Sequence, residues 1–311
     1  MYRLDQLCLA TLLFTALGLS CSQNSSVPPT FDGPRAFSYL KQQVAFGPRV
    51  PGSEAWENCR AFYNTFFDSL GLTVDSQVFH FVDPYSGVTL PLVNVMVSIA
   101  GRHTDQPGIL LAAHWDCRPR CELATDPLLA AQPLDGANDG ASGVAVLMEL
   151  AVLLAEQPPP VGVQLVLFDG EDWGEPGDLE YYMLGSREFA RRGVRGKYRF
   201  GIVLDMIGDK DQQIYREGYS QQFSPSLNDM VFAAAARLNL TTFHDSVKYY
   251  VHDDHLSLNS GGLPAIDLID FDYPHWHTER DTPDKCSPEA LENVGRLMIH
   301  LIYNPSLWPT N

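Results

Sequence analysis

Positive charge is scarce in this chain, where 21 lysines and arginines face 38 aspartates and glutamates for a formal net charge of −17. Gripping nucleic-acid phosphates takes a basic face, so nucleic acid is excluded as a partner. An acidic surface instead favours cationic ligands such as a free α-amine. Internal repeats are absent, and low complexity is confined to a short polar stretch near the N-terminus. Cysteines are few, and the spacing of Cys59, Cys117, Cys121 and Cys286 fits no standard zinc knuckle. Two disulfides or four free thiols are both open, with "CRPRC" a possible clip on the loop after His114.

What is present begins with an export pattern. "MYRLDQLCLATLLFTALGLSC" has one arginine, an apolar run of about a dozen residues and small residues leading to Cys21. That run is too short to span a bilayer. Ser20 and Cys21 resemble the lipobox of bacterial lipoproteins, with Gly18 where that pattern prefers Leu. Residues 1–20 are thus expected to be a signal, 21–33 a polar tether acylated at Cys21, and 34–311 a single catalytic domain of a periplasmic or cell-surface protein held to a membrane by its lipid.

Past the tether, strand-length apolar runs alternate with helical stretches, the mark of a layered α/β domain. Strands are predicted at 90–100, 108–114, 163–168, 200–206 and 263–269, most of them apolar on both faces and therefore covered on both sides. Helices are predicted at 54–71, 141–157, 226–239 and 287–303, the second apolar nearly all round and stopped by three prolines. The fold class is a three-layer α/β/α sandwich around a mixed, mostly parallel sheet. Stretches 115–138 and 172–185 carry no clear element, and loops this long in a compact domain are usually functional.

Acids and histidines follow the strands. "GILLAAH" ends in "HWD", "VQLVLF" in "DGED", "FGIVL" in "DMIGD" and "LPAIDLI" in "DFDYPHWH". The carboxyl edge of an open α/β sheet is the ligand crevice, so His114, Asp116, Glu171, Asp172, Asp205 and His277 are expected to converge there, joined by Asp139 from the glycine-rich turn "GANDGASG". Singly, each could be a helix cap or a solvated side chain. Together, four or more carboxylates with two imidazoles repel one another unless a cation sits among them. Oxygen and nitrogen donors without thiolate suit a catalytic Zn²⁺ with one open position.

In this order, "GPRVPGS", "HWD", "GANDGASGVAVLMELA", "LVLFDGED", "LGS", "VLDMIG", "DDH" and "WHTERDTPD" resemble the zinc-dependent peptidase family that includes bacterial aminopeptidases, and within it the glutaminyl-peptide cyclotransferases. The resemblance covers roughly residues 35–303. It implies one zinc held by Asp139, Asp172 and His277, or two in an aminopeptidase, with His114 and Asp205 completing a second metal position. It makes Glu171 the general base, and puts Asp253 and Asp205 in a hydrogen-bonded acid network with it. It also implies a cis peptide after Asp139. The family usually has Glu where this chain has Asp172.

The two activities differ in the nucleophile. A peptidase activates water. A cyclotransferase lets the α-amine of an N-terminal glutamine attack that residue's own side-chain amide and must keep water out. The aromatics of "FDYPHWHTERDT" answer that need: Trp276 matches the indole that lines the cyclase pocket, Phe271 or Tyr273 is a candidate second wall, and His252 is a candidate contact beside Asp253. The implied partners are peptides or proteins with a free N-terminal glutamine. A non-catalytic peptide-binding protein of the same fold would be expected to have lost Glu171, Asp139 or His277, and all three are present.

Overall fold

The computed structural model describes residues 27–309. The expected signal 1–20 and Cys21 lie outside the described residues. Phe31 is buried against Gly295 and Asp32 caps the first helix, so the folded body begins at Phe31, three residues before the expected boundary.

The described residues form eight strands: β1 (Thr73–Val82), β2 (Thr89–Ile99), β3 (Gly108–His114), β4 (Val163–Phe168), β5 (Tyr198–Asp205), β6 (Ile214–Glu217), β7 (Phe243–Tyr249) and β8 (Ala265–Ile269). Six make one mixed sheet in the order β1-β2-β4-β3-β5-β8, while β6 and β7 pair separately. Strands β4, β3, β5 and β8 are parallel, and β2 runs antiparallel to both of its neighbours, β1 and β4. The mostly parallel sheet is as expected. The sequence reading missed β1, whose outer position leaves it largely exposed, and the small β6–β7 pair.

The helices are α1 (Gly33–Val44), α2 (Glu54–Ser69), α3 (Pro127–Ala130), α4 (Ala141–Glu156), α5 (Leu184–Arg191), α6 (Gly218–Phe223), α7 (Pro225–Arg237), α8 (Asp254–Ser260) and α9 (Pro288–Tyr303). Alternate residues of the central strands feed two cores. Leu111, Leu165 and Ile202 pack with α1, α2, α4, α7 and α9, whereas Leu110, Val166 and Val203 pack with α5 and α8. This is the two-sided burial that continuous apolarity predicts. Helix α4 is buried from Ala141 to Leu154. It sits close against β5, where a Cβ at Gly143 would lie 2.1 Å from the Leu204 carbonyl oxygen. Cys59, Cys117, Cys121 and Cys286 are all buried free thiols, so the "CRPRC" clip does not form. No described helix is long and apolar enough to cross a membrane.

Candidate active site

Because β3, β4, β5 and β8 are parallel, their carboxyl ends share one edge. That edge receives His114 and Asp205 as strand-terminal residues, Glu171 and Asp172 just past β4, and His277 from the loop after β8. Asp139 arrives in the turn before α4. The turn is made by Gly140 at φ 96°, and the Asp139–Gly140 peptide is trans, contrary to the implied cis bond. The Asp281 carboxylate accepts the N–H groups of Asn138 (2.8 Å) and Asp139 (3.1 Å) and fixes the turn from below. Burial raises Asp281 to about 6. Tyr273 is not a pocket wall, since its chain turns inward and its hydroxyl donates to Asp281 at 2.6 Å. Asp116 is likewise a brace, accepting the N–H groups of Glu171 (3.1 Å) and Asp172 (3.3 Å).

Two donor triads share Asp139. In the first, His277 Nε2 lies 3.8 Å from Asp139 Oδ2 and 3.6 Å from Asp172 Oδ1. The donor atoms of Asp139, Asp172 and His277 fall within 4.8 Å of one another. Asp139 Oδ2 and Asp172 Oδ2 are buried without a hydrogen-bond partner. Orphaned buried oxygens are costly, and a cation between them removes the cost. In the second triad, His114 Nε2 already meets Asp139 Oδ1 (3.1 Å) and Asp205 Oδ1 (3.2 Å).

The electrostatics reflect crowded acids. Burial raises Asp172 to about 6 against the pull of Arg118 and His277. Burial also raises Asp205 to about 7, opposed by His114 and helped by Asp253 and Asp139. Asp139 stays below the ordinary carboxylate value because His114 outweighs its burial. His114 is held well above its ordinary value: burial works against that charge, and Asp116, Asp139 and Asp205 overcome it.

Beside the first triad opens a cavity of about 370 Å³, lined by Met206, Ile269, Phe271, Trp276, Leu179 and Tyr250, with Glu171, His252 and Asp253 among its polar groups. Phe271 and Trp276 pack with ring centres 5.0 Å apart. Asp253 both lines the cavity and caps α8. Glu171, Asp205 and Asp253 all line this cavity. They interact through charge: burial first, then Asp172 and Asp253, push Glu171 well above its ordinary value, with His114 opposing.

Residues 94–302 match the sequence profile of peptidase family M28. The chain belongs to that family. The chain superposes on the glutaminyl cyclase of Bacteroides thetaiotaomicron bound to N-acetylhistamine with a TM-score of 0.84 and 35% identity, over 89% of this chain and 99% of that one. It matches a leucine aminopeptidase precursor from the same species equally well, with a TM-score of 0.85, 35% identity and the same coverage. The glutaminyl-peptide cyclotransferase of Boiga dendrophila is 25% identical over 291 residues, covering 80% of this chain and 75% of the relative.

Within this M28 site, sequence reasoning missed Arg118 and Glu122. Arg118 is fully buried and donates from Nη1 to Asp172 Oδ1 at 2.6 Å. Glu122 Oε1 lies 2.8 Å from His277 Nδ1. Burial would raise Glu122, but His277 and Arg118 hold it at about 2. The available signal was the long, charged "CRPRCE" loop directly after His114.

Proposed function

We propose that this M28 protein is a glutaminyl-peptide cyclotransferase, converting an N-terminal glutamine to pyroglutamate with release of ammonia, and that Asp139, Asp172 and His277 hold a single zinc. The observation that carries this reading is the apolar aromatic cavity opening directly onto a donor triad with orphaned oxygens. Three oxygen and nitrogen donors with an open position fit zinc. Solved relatives include a zinc-dependent exopeptidase from Parabacteroides distasonis, 31% identical with a TM-score of 0.84 over 89% of this chain.

When bound, the zinc polarises the side-chain amide carbonyl of the substrate glutamine. Trp276 and Phe271 hold the flat ring-like pose and exclude the water that would otherwise hydrolyse the amide. Acidic groups around Glu171 favour the entering α-amine. As that nitrogen bonds to the side-chain carbonyl carbon, Glu171 takes a proton from it. The carbon–nitrogen bond to the amide NH₂ then breaks, and Glu171 returns the proton so that ammonia leaves. Asp253 and Asp205 line the same cavity as Glu171 and complete its acidic wall. The proposal includes export and acylation at Cys21, which rest on the sequence of residues 1–21.

The test is a zinc-loaded preparation incubated with a glutamine-initiated peptide and, separately, with a leucine-initiated one. Ammonia release, a blocked N-terminus and a single zinc per chain are expected. Two zincs with free amino acids released from either peptide would overturn the reading in favour of an aminopeptidase, with His114 and Asp205 holding the second ion.

A further inference from the structure

The donors Asp172 and His277 come from different loops, yet one short segment grips both. Arg118 Nη1 donates to Asp172 Oδ1 (2.6 Å), its Nε reaches Glu122 Oε1 and Oε2 (both 2.7 Å), and its Nη2 takes the Tyr182 hydroxyl (2.9 Å). Glu122 in turn faces His277 Nδ1 (2.8 Å), and the Leu123 N–H donates to the His277 carbonyl (3.1 Å). We infer that Arg118 and Glu122 are positioning residues: the relay Asp172–Arg118–Glu122–His277 aims two of the three cation donors before the cation arrives.

Two consequences follow from the chemistry. An imidazole whose Nδ1–H is taken by a carboxylate presents Nε2 as a bare lone pair, and the carboxylate raises its basicity. Asp172 Oδ1 is taken by a single guanidinium N–H, which leaves the orphaned Oδ2 free for a cation. Arg118 and Glu122 cancel in formal charge, so the relay adds no net charge to the site.

This inference rests on the zinc reading, and its test separates the two. Zinc affinity of the full chain is measured by competition with a chromophoric chelator for wild type, Glu122→Gln and Arg118→Lys, with thermal unfolding of each metal-free protein alongside. Glu122→Gln is expected to bind zinc about 10–100-fold more weakly and, because it also leaves the buried Arg118 without its carboxylate, to lower metal-free stability, so affinity is compared at a temperature where both metal-free proteins are folded. Arg118→Lys, which keeps the charge and loses the fork, is expected to weaken zinc similarly. If Glu122→Gln binds zinc within twofold of wild type, the relay has no positioning role, and this variant decides even if Arg118→Lys misfolds. If the wild type takes up no zinc, the zinc reading fails. The relay is then tested in the metal-free chain by ¹⁵N shifts of His277, expected Nδ1-protonated in wild type and mixed in Glu122→Gln. Identical tautomers in both proteins would discard it.

Discussion

His277 takes a left-handed backbone conformation, φ 54°, and this places its imidazole 3.9 Å from the indole of its neighbour Trp276. A non-glycine residue in that region is uncommon and is kept only where the surroundings over-determine it. The turn makes two consecutive side chains, the proposed cation donor His277 and the aromatic Trp276, line one cavity.

Replacing Trp276 by Ala should therefore lower kcat/KM for a glutamine-initiated peptide by about tenfold or more, roughly 1.4 kcal/mol of transition-state stabilisation. Trp276→Phe should recover most of it. Mass spectrometry of the product should also reveal N-terminal glutamate in the Ala variant, because water now reaches the amide. An Ala variant as fast and as clean as wild type would remove Trp276 from the pocket's function.

Glu171→Gln keeps the side-chain shape and removes the base. Turnover should fall by about 10²–10⁴-fold. Zinc content, measured by elemental analysis, should stay unchanged, since the cation donors are Asp139, Asp172 and His277. Zinc lost together with activity would make Glu171 part of the cation site instead.

Gly140→Ala puts a Cβ at φ 96°, 2.9 Å from the Asp116 carbonyl oxygen and 3.0 Å from His114 Cε1. The backbone strain alone costs about 1–2 kcal/mol, and the contacts add to it. Denaturant unfolding should report at least that loss, and zinc affinity should drop because Asp139 moves with the turn.

Glu217 supplies a pH test away from the cation donors. It caps α6 through the N–H groups of Tyr219 (2.9 Å) and Ser220 (2.6 Å), and its Oε2 lies 3.1 Å from His255 Nε2. Burial opposes its charge, yet His255 and the cap hold it at about 2, below the ordinary 4.5. The folded state binds this proton less tightly than the unfolded chain, so the stabilisation is complete above pH 4.5 and is lost as pH falls from 4.5 towards 2. Its size is about 3 kcal/mol. The stability gap between wild type and Glu217→Gln should narrow across that window, and a gap of equal size at pH 3 and pH 7 would refute the assignment.

Removing the cation with a chelator should lower the melting temperature as well as abolish turnover, because a ligand bound only by the folded state stabilises it by mass action. Restoring zinc should restore both. An unchanged melting temperature would mean that the donor triad takes up no ion with useful affinity.

The central strands, α4 and the convergence at the sheet edge were legible because burial on both faces writes continuous apolar runs, and chemistry follows each run at its carboxyl end. Strand β1, "TVDSQVFHFV", was not, because its exposed outer position leaves only a weak alternation. Helix α1 could have been read from Asp32 and Pro34, a cap followed by a proline in the first turn, which the structure uses that way.

The sequence by itself determined the layered fold, the family likeness and which acids and histidines follow the strands, since these depend on residue types at the ends of periodic elements. Only the tertiary structure decided that Tyr273 turns inward to Asp281 and that Arg118 and Glu122 join Asp172 to His277. The reason is physical. Side-chain direction in an aperiodic loop is set by the partners that folding brings against it, some of them, as Asp172 for Arg118 and Glu122 for His277, more than fifty residues away, and no local pattern in the chain records which partner that is.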